Sequence, residues 1–357
     1  MVKLNFPPRL KQPFVSGSFK TPVGSVPQIS SSLKWQDHRG TIKARWGINR
    51  MNYPVDPGLY ALGNPNDTSP VLVTANYKMS FDRLREALPE RDAWILVLDT
   101  DGVNVWCAAG KGTFGTEELM EHIQSSGLTR VISHRDLILP QLGAPGIAAH
   151  TVKKNTGFTV HYGPVRARDV GNYLDSGLRK TPEMRLKTFP LRDRIAVIPV
   201  ELVEALKAAL FIIPVILLLG GLGIKGTFWT NVINYGAFAA FAIMSAILAG
   251  TILTPPLLPL IPGRAFTTKG IILGLITALL LVIYRTPDLS LWSGRLEALS
   301  CFLMLPAITG YLAMNFTGAT TFTSLSGVKK EMRWALPLEI AGAVIGVVLW
   351  MGSRFVT

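Results

Sequence analysis

The sequence predicts an α/β domain built on a mostly parallel sheet, followed by an all-α membrane domain of five transmembrane helices. Three observations carry this. Short β-branched apolar runs alternate with amphipathic stretches from Val71 to about Val200. Five long apolar segments follow. The charge is concentrated in the first part, with 26 Lys and Arg against 19 Asp and Glu over residues 1–206 and only 10 against 4 over the remaining 151. A chain that is 48% hydrophobic with mean hydropathy +0.32 is too apolar for an ordinary soluble protein.

Residues 1–70 are rich in Pro, Ser and Gly without a sustained period, and read as an extended leader packing on the domain or partly disordered. Within residues 71–200, buried strands are expected at Val71–Thr74, Trp94–Asp99, Arg130–Ser133, Phe158–Tyr162 and Ile195–Val200. Helices are expected from Ser80 and Asp82 toward Leu88, and from Glu117 to Ser126 with Thr116 as cap and Gly127 as stop. Strands separated by helices indicate a parallel sheet, whose ligands sit beyond the carboxyl ends of the strands.

The membrane domain, residues 201–357, holds apolar segments at about 205–223, 232–253, 270–284, 298–314 and 335–351. Several fall short of the ~20 residues of a full span and must borrow flanking residues. Basic residues gather at one set of flanks, from Arg179 to Arg194, at Arg264 and Lys269, and at Lys329, Lys330 and Arg333. The other flanks hold only Lys225, Arg285, Arg295 and Arg354, so the charge bias places the α/β domain in the cytoplasm, on the inner membrane. The first residues, Met1 to Arg9, show no secretory signal. The net charge of +13 reads as this retention of basic residues on one side, not as a nucleic-acid interface. Two cysteines, Cys107 and Cys301, are too few for an iron–sulfur cluster of the chain's own.

Chemistry is expected at the turn after Trp94–Asp99, where Gly102 permits a sharp bend, Asn104 can cap a helix and Gly110 can end it. Between them Val105, Trp106, Cys107, Ala108 and Ala109 put no polar side chain on any face, so the helix needs cover on both sides. A short core helix with an inert cysteine is one way to provide it. A large flat ligand is the other, and a corrin ring has a soft metal at its centre that a thiolate can bind.

The run Asn104-Val-Trp-Cys-Ala-Ala-Gly-Lys111 resembles the cap-helix signature of the HgcA family of mercury-methylating corrinoid proteins, whose architecture the five-span tail also matches. The runs Pro57-Gly-Leu-Tyr-Ala-Leu-Gly63, Val73-Thr-Ala-Asn-Tyr-Lys78, Lys111-Gly-Thr-Phe-Gly-Thr116 and Leu139-Pro-Gln-Leu-Gly-Ala-Pro-Gly146 are similar to the corrinoid domain of corrinoid iron–sulfur proteins. The resemblance implies a Rossmann-like corrinoid-binding domain with the Cys107 thiolate as lower axial ligand of cobalt. Asn104, Val105, Trp106 and Ala108 would form the cap, and Thr74, Lys111, Thr113, Gln141, Gly143 and Ala144 would line the ring. It further implies methyl transfer to an Hg(II) thiolate giving methylmercury, with the methyl carried on cobalt, a separate methyl-donating methyltransferase, and an HgcB-type ferredoxin with two four-iron four-sulfur clusters as reductant. Two rival readings are a membrane-tethered corrinoid carrier of one-carbon metabolism and a non-enzymatic thiol mercury transporter.

Other signals are weaker. Ser133-His-Arg-Asp-Leu137 lacks the Asn of a kinase catalytic loop, since Gln141 stands in its place, and Gly110-Lys-Gly-Thr113 lacks the residues of a phosphate loop. His122, His134, His150 and His161 show no metal spacing and read as surface or supporting residues. Glu339, inside the last span, is expected to snorkel or to pair with Lys329, Lys330 or Arg333. Cys301 reads as packing.

Overall fold

A computed structural model describes residues 8–319 and 325–356. Most of the Met1–Arg9 segment lies outside them. The chain divides into two compact units, one of residues 1–44 with 48–187 and one of 45–47 with 188–357.

The first unit is a seven-stranded sheet in the order β1-β2-β3-β5-β4-β6-β7. Its strands are β1 (Val15–Thr21), β2 (Gly24–Ile29), β3 (Gly58–Leu62), β4 (Val71–Ala75), β5 (Ala93–Leu98), β6 (Asp136–Leu139) and β7 (Thr159–Tyr162). The β2/β3, β4/β5, β4/β6 and β6/β7 pairs are parallel, while β1/β2 and β3/β5 are antiparallel. Every residue of β3, β4 and β5 is buried, which is why β4 and β5 read as continuous apolar runs.

Because side chains alternate across a strand, the sheet feeds two cores. Val71, Val73, Leu96 and Leu98 pack on one face with Val105, Ala108, Leu119 and Ile123. Leu72, Ile95, Val97 and Tyr60 pack on the other with Phe81, Leu88 and Tyr173. The helices covering these faces include α1 (Trp35–Arg45), α2 (Lys78–Glu86), α3 (Val105–Lys111), α4 (Thr116–Ser125), α5 (Leu128–Val131), α6 (Ala149–Thr156) and α7 (Val170–Asp175). A buried ion network joins α1 to α2: Lys78 Nζ meets Asp37 at 2.7 Å, and Arg85 meets both Asp37 and Asp82 at 2.8 Å.

Several sequence expectations are corrected. Three of the seven strands lie within residues 1–70, where no period was visible. Arg130–Ser133 is not a strand; α5 occupies Leu128–Val131 and the strand follows at Asp136–Leu139. Ile195–Val200 is helical, because it opens the first long apolar helix. Thr116 does not cap α4; Gly115 is at that position, and Thr116 Oγ1 instead accepts the Ala148 N–H at 2.8 Å.

Among the described residues the second unit holds five helices long and apolar enough to cross a membrane: α8 (Leu191–Gly220), α9 (Phe228–Leu257), α10 (Phe266–Arg285), α11 (Trp292–Asn315) and α12 (Gly327–Gly352). Each exceeds its expected core by several residues, so every helix is long enough for a ~30 Å hydrocarbon layer. Leu210, Phe211, Leu280, Ile283 and Val348 are more than half exposed, as suits a lipid-facing surface. Small residues bring helices close: an added Cβ at Gly274 would sit 2.5 Å from the Pro306 Cα. Glu339 departs from its expectation, being 5% exposed, with its Oε1 tucked against Gly310 of α11. Cys301 is buried, as expected.

Candidate functional site

From β4 the chain proceeds to β5 on one side, and from β6 to β7 on the other, so the sheet reverses direction between β4 and β6. Such a switch point leaves a crevice at the carboxyl ends of the strands. β4 and β6 pair at one position, Leu72 opposite Ile138, against five positions for β4 and β5. A cavity of about 400 Å³ opens there, walled by Thr74, Leu139, Pro140 and Leu142 and by Asn104, Val105 and Trp106 of the α3 turn. Met79, Arg83, Val165 and Ala167 extend it. Its size and largely apolar wall are those of a small-molecule or cofactor site.

The turn that delivers α3 is tightly bound. Asp101 and Gly102 both adopt positive φ, 54° and 69°. The buried Asn76, just beyond β4, accepts the Thr100 N–H at 3.1 Å, the Thr100 hydroxyl at 2.8 Å and the Gly102 N–H at 3.0 Å on a single oxygen. Its amide donates to Asp99 Oδ1 at 2.8 Å. Beneath the turn Glu118 Oε1 accepts the Asp99 N–H at 3.1 Å, and burial pushes the Glu118 carboxyl up to about 7. His122, expected at the surface or in support, is buried beside it, its Nδ1 3.0 Å from the Glu118 carbonyl.

Asn104 is the N-cap, as expected: its backbone is extended and its side-chain oxygen accepts the Cys107 N–H at 3.0 Å. The helix ends at Gly112, with φ 88°, two residues beyond the expected Gly110. Its cover is one-sided. Val105, Ala108 and Ala109 are buried in the core, whereas Cys107 is exposed and Trp106 is 45% exposed. The expected burial on both sides therefore does not come from the protein.

The remaining expected site residues are divided. Thr74 shares the cavity with the α3 turn, and Leu142, not singled out beforehand, joins it, but Cys107, Ala108, Lys111, Thr113, Gln141, Gly143 and Ala144 are not on its wall. Ala108 faces the core and Lys111 is exposed at the last turn of α3. Thr113 Oγ1 is buried without a hydrogen-bond partner. Gln141 Oε1 accepts a hydrogen bond from the Lys180 ammonium, and the Ala144 carbonyl accepts the Ile147 N–H. Gly143 and Gly146 act by packing: a Cβ at Gly143 would lie 2.5 Å from the Phe114 ring, and one at Gly146 2.1 Å from the Phe114 carbonyl. Asn76, Met79 and Arg83 were not foreseen as site residues; only the position of Asn76 just after an apolar run was a usable signal.

The residues present fit a corrinoid. Aromatic and thiol groups stand exposed on an otherwise apolar helix, the Thr113 hydroxyl is unpartnered, and a thiolate is a donor suited to a soft metal centre. Among the described residues no group of three or more His, Cys, Asp or Glu side chains could itself hold a metal ion.

Residues 48–174 match the family described as CO dehydrogenase/acetyl-CoA synthase delta subunit. This segment runs from before β3 to α7 and so contains the crevice and α3. Similar proteins are gamma subunits of acetyl-CoA decarbonylase/synthase complexes. That of Methanocaldococcus jannaschii is 34% identical over 128 residues, 35% of this chain and 26% of that protein. That of Methanopyrus kandleri is 32% identical over 132 residues, 36% of this chain and 28% of that protein. The chain spans about a quarter of the length of these curated relatives. The family match lies within the sheet unit and ends before the five long helices.

Proposed function

We propose that this protein is a membrane-anchored, corrinoid-dependent methyltransferase that transfers a methyl group to inorganic Hg(II), giving methylmercury. The exposed Cys107 on a capped, otherwise apolar helix beside the crevice carries the reading. A corrinoid bound there supplies the cobalt that carries the methyl group. Cys107 would hold that cobalt as a thiolate, a donor suited to a soft metal. Asn104 fixes the helix end that presents the thiol, and Trp106 offers an aromatic face to a ring lying on α3. Val105 and Ala108 anchor the helix from beneath, and Thr74 stands at the strand end facing the crevice. Lys111, Thr113 and the loop of Gln141, Gly143 and Ala144 would complete the surround.

The proposal includes a division at about residue 200 between a corrinoid domain in the cytoplasm and a domain in the inner membrane. It also includes an HgcB-type ferredoxin as reductant and a separate methyl-donating methyltransferase. Likeness to acetyl-CoA decarbonylase/synthase subunits favours a second reading, a tethered methyl carrier that does not act on mercury. A methylation assay with full-length protein, methylcorrinoid, reduced ferredoxin and an Hg(II) thiolate separates the two. Methylmercury formed by the native protein but not by Cys107→Ala supports the first, and methyl consumption without methylmercury rejects it.

A further inference from the structure

Helix α1 turns an apolar stripe away from the protein. Trp35 is 72% exposed, Ile42 50% and Trp46, one residue past the helix end, 44%. Seven and then four residues apart, they share one side of the helix with Arg39, and Lys43 borders it. The opposite side is fastened. Ala44 is buried, Gly40 lies against the Tyr53 ring, and Asp37 meets Lys78 at 2.7 Å and Arg85 at 2.8 Å. The helix therefore cannot roll to bury its tryptophans, and large exposed apolar groups in a row mark a contact surface. Arg39 and Lys43 are also exposed. From His38 to Val55 the chain has four basic residues, Arg39, Lys43, Arg45 and Arg50, and no acidic one.

We infer that this face of α1 lies flat on the headgroup layer of an anionic membrane, with Trp35, Ile42 and Trp46 inserted and Arg39 and Lys43 against lipid phosphates. The inference rests on the five long helices crossing that membrane. Where α1 ends decides for lipid over a protein partner. Arg45–Gly47 belongs to the helical unit. Arg45 Nη1 donates to the Ala196 carbonyl at 3.3 Å, and a Cβ at Gly47 would lie 3.7 Å from Glu204 Oε1 and 3.9 Å from Val203 Cγ1. These partners belong to α8 and precede Ala205, where its apolar segment begins. Trp46 thus stands at the level where a membrane helix enters the hydrocarbon, the depth that tryptophan favours. A helix lying in the plane of the bilayer keeps Ile42 and Trp35 at that same depth. An apolar stripe carrying aromatic groups and bordered by cations is the pattern of interfacial helices, and each basic side chain near an anionic surface strengthens the hold.

The test uses full-length protein in nanodiscs of phosphatidylcholine with phosphatidylglycerol, spin-labelled at one introduced cysteine. Oxygen, which concentrates in lipid, and a water-soluble nickel chelate serve as collision probes. Cys107→Ala removes the exposed native thiol, and the buried Cys301 stays unlabelled. Labels in Trp35→Cys, Ile42→Cys and Trp46→Cys should meet oxygen more often than the chelate, as should one in Leu280→Cys on the lipid-facing surface. Glu121→Cys, exposed on α4, should show the reverse. Arg39→Glu with Lys43→Glu leaves the stripe whole and should lower the oxygen-to-chelate ratio of the Ile42→Cys label severalfold. A ratio that survives this charge reversal would overturn the contact with lipid phosphates. Chelate-dominated signals at all three stripe positions would show a face open to water and free for a soluble partner, and at Trp35→Cys alone a helix standing off the membrane; either overturns the assignment. A chelate-dominated signal at Leu280→Cys would remove the membrane itself from the account.

Discussion

Replacing Ala108 tests whether the geometry of α3, apart from its chemistry, presents the thiol. Ala108 is fully buried, its N–H donates to the Asn104 carbonyl at 2.9 Å, and its carbonyl accepts the Phe114 N–H at 3.2 Å. Glycine keeps both bonds, so its cost is about 1 kcal/mol of helix propensity plus about 0.8 kcal/mol for one buried methyl. Proline removes the donor and clashes with the preceding turn, costing about 3 kcal/mol, and its ring overfills a closed site at about 1–3 kcal/mol more. The gap of about 3 kcal/mol corresponds to roughly a hundredfold in the population of the ordered helix. Cys107 is exposed and Cys301 buried, so a hydrophilic thiol reagent should titrate one thiol in the native protein. Added cobalamin should slow that reaction in the native protein and in Ala108→Gly but not in Ala108→Pro. Equal protection in the two variants would refute the argument that an ordered α3 positions Cys107.

Cys107→Ala should fold and insert normally, because alanine favours the helix slightly, yet lose methyl transfer; undiminished activity would remove the axial-ligand role. Cys107→His should restore cobalt binding in part with a shifted absorption spectrum, since neutral imidazole replaces an anionic sulfur. Asn76→Ala should destabilise the sheet unit by about 2–3 kcal/mol, because the Thr100 and Gly102 N–H groups lose their acceptor; a change below about 0.5 kcal/mol in denaturant titration would show the turn to be self-supporting. Burial raises the folded-state Glu118 carboxyl from about 4.5 to about 7, so its contribution is full below pH 4.5 and is lost as pH rises through 7. Glu118→Gln should therefore flatten the stability profile over that window, and an unchanged profile from thermal melts would reject the assignment.

The sequence made legible those parts of the fold in which local pattern and burial coincide. β4 and β5 sit in the middle of the sheet and are buried on both faces, so each is an unbroken apolar run. β1 alternates as a half-buried strand should, but Gly17 and Thr21 occupy inward positions, and a period written in small residues is hard to see. β6 is only four residues long and begins at an exposed Asp136, while the β-branched pair Val131-Ile132 just before it ends a helix. Ile195–Val200 has strand composition but leads into an apolar helix, where backbone groups need partners within the segment. In the candidate site, the cap on Cys107 could be read from the order of Asn104 and the apolar residues. That Trp106 and Cys107 turn outward while Ala108 turns inward could not, since all are apolar and only the third dimension separates them.

The packing of Phe114 bears on how the thiol can move. With Gly143 and Gly146 of the adjoining loop pressed against that residue at distances that exclude even a methyl group, the end of α3 has no room to rock toward the loop. From the other side, Asn76 clamps the turn that precedes it. The helix is a fixed shelf between two fastenings. If Cys107 must approach and withdraw from a metal as its oxidation state changes, the motion falls to rotation about the Cα–Cβ bond, between staggered wells that interconvert on the scale of nanoseconds or faster at an exposed position. The sulfur can then change position without waiting for the backbone.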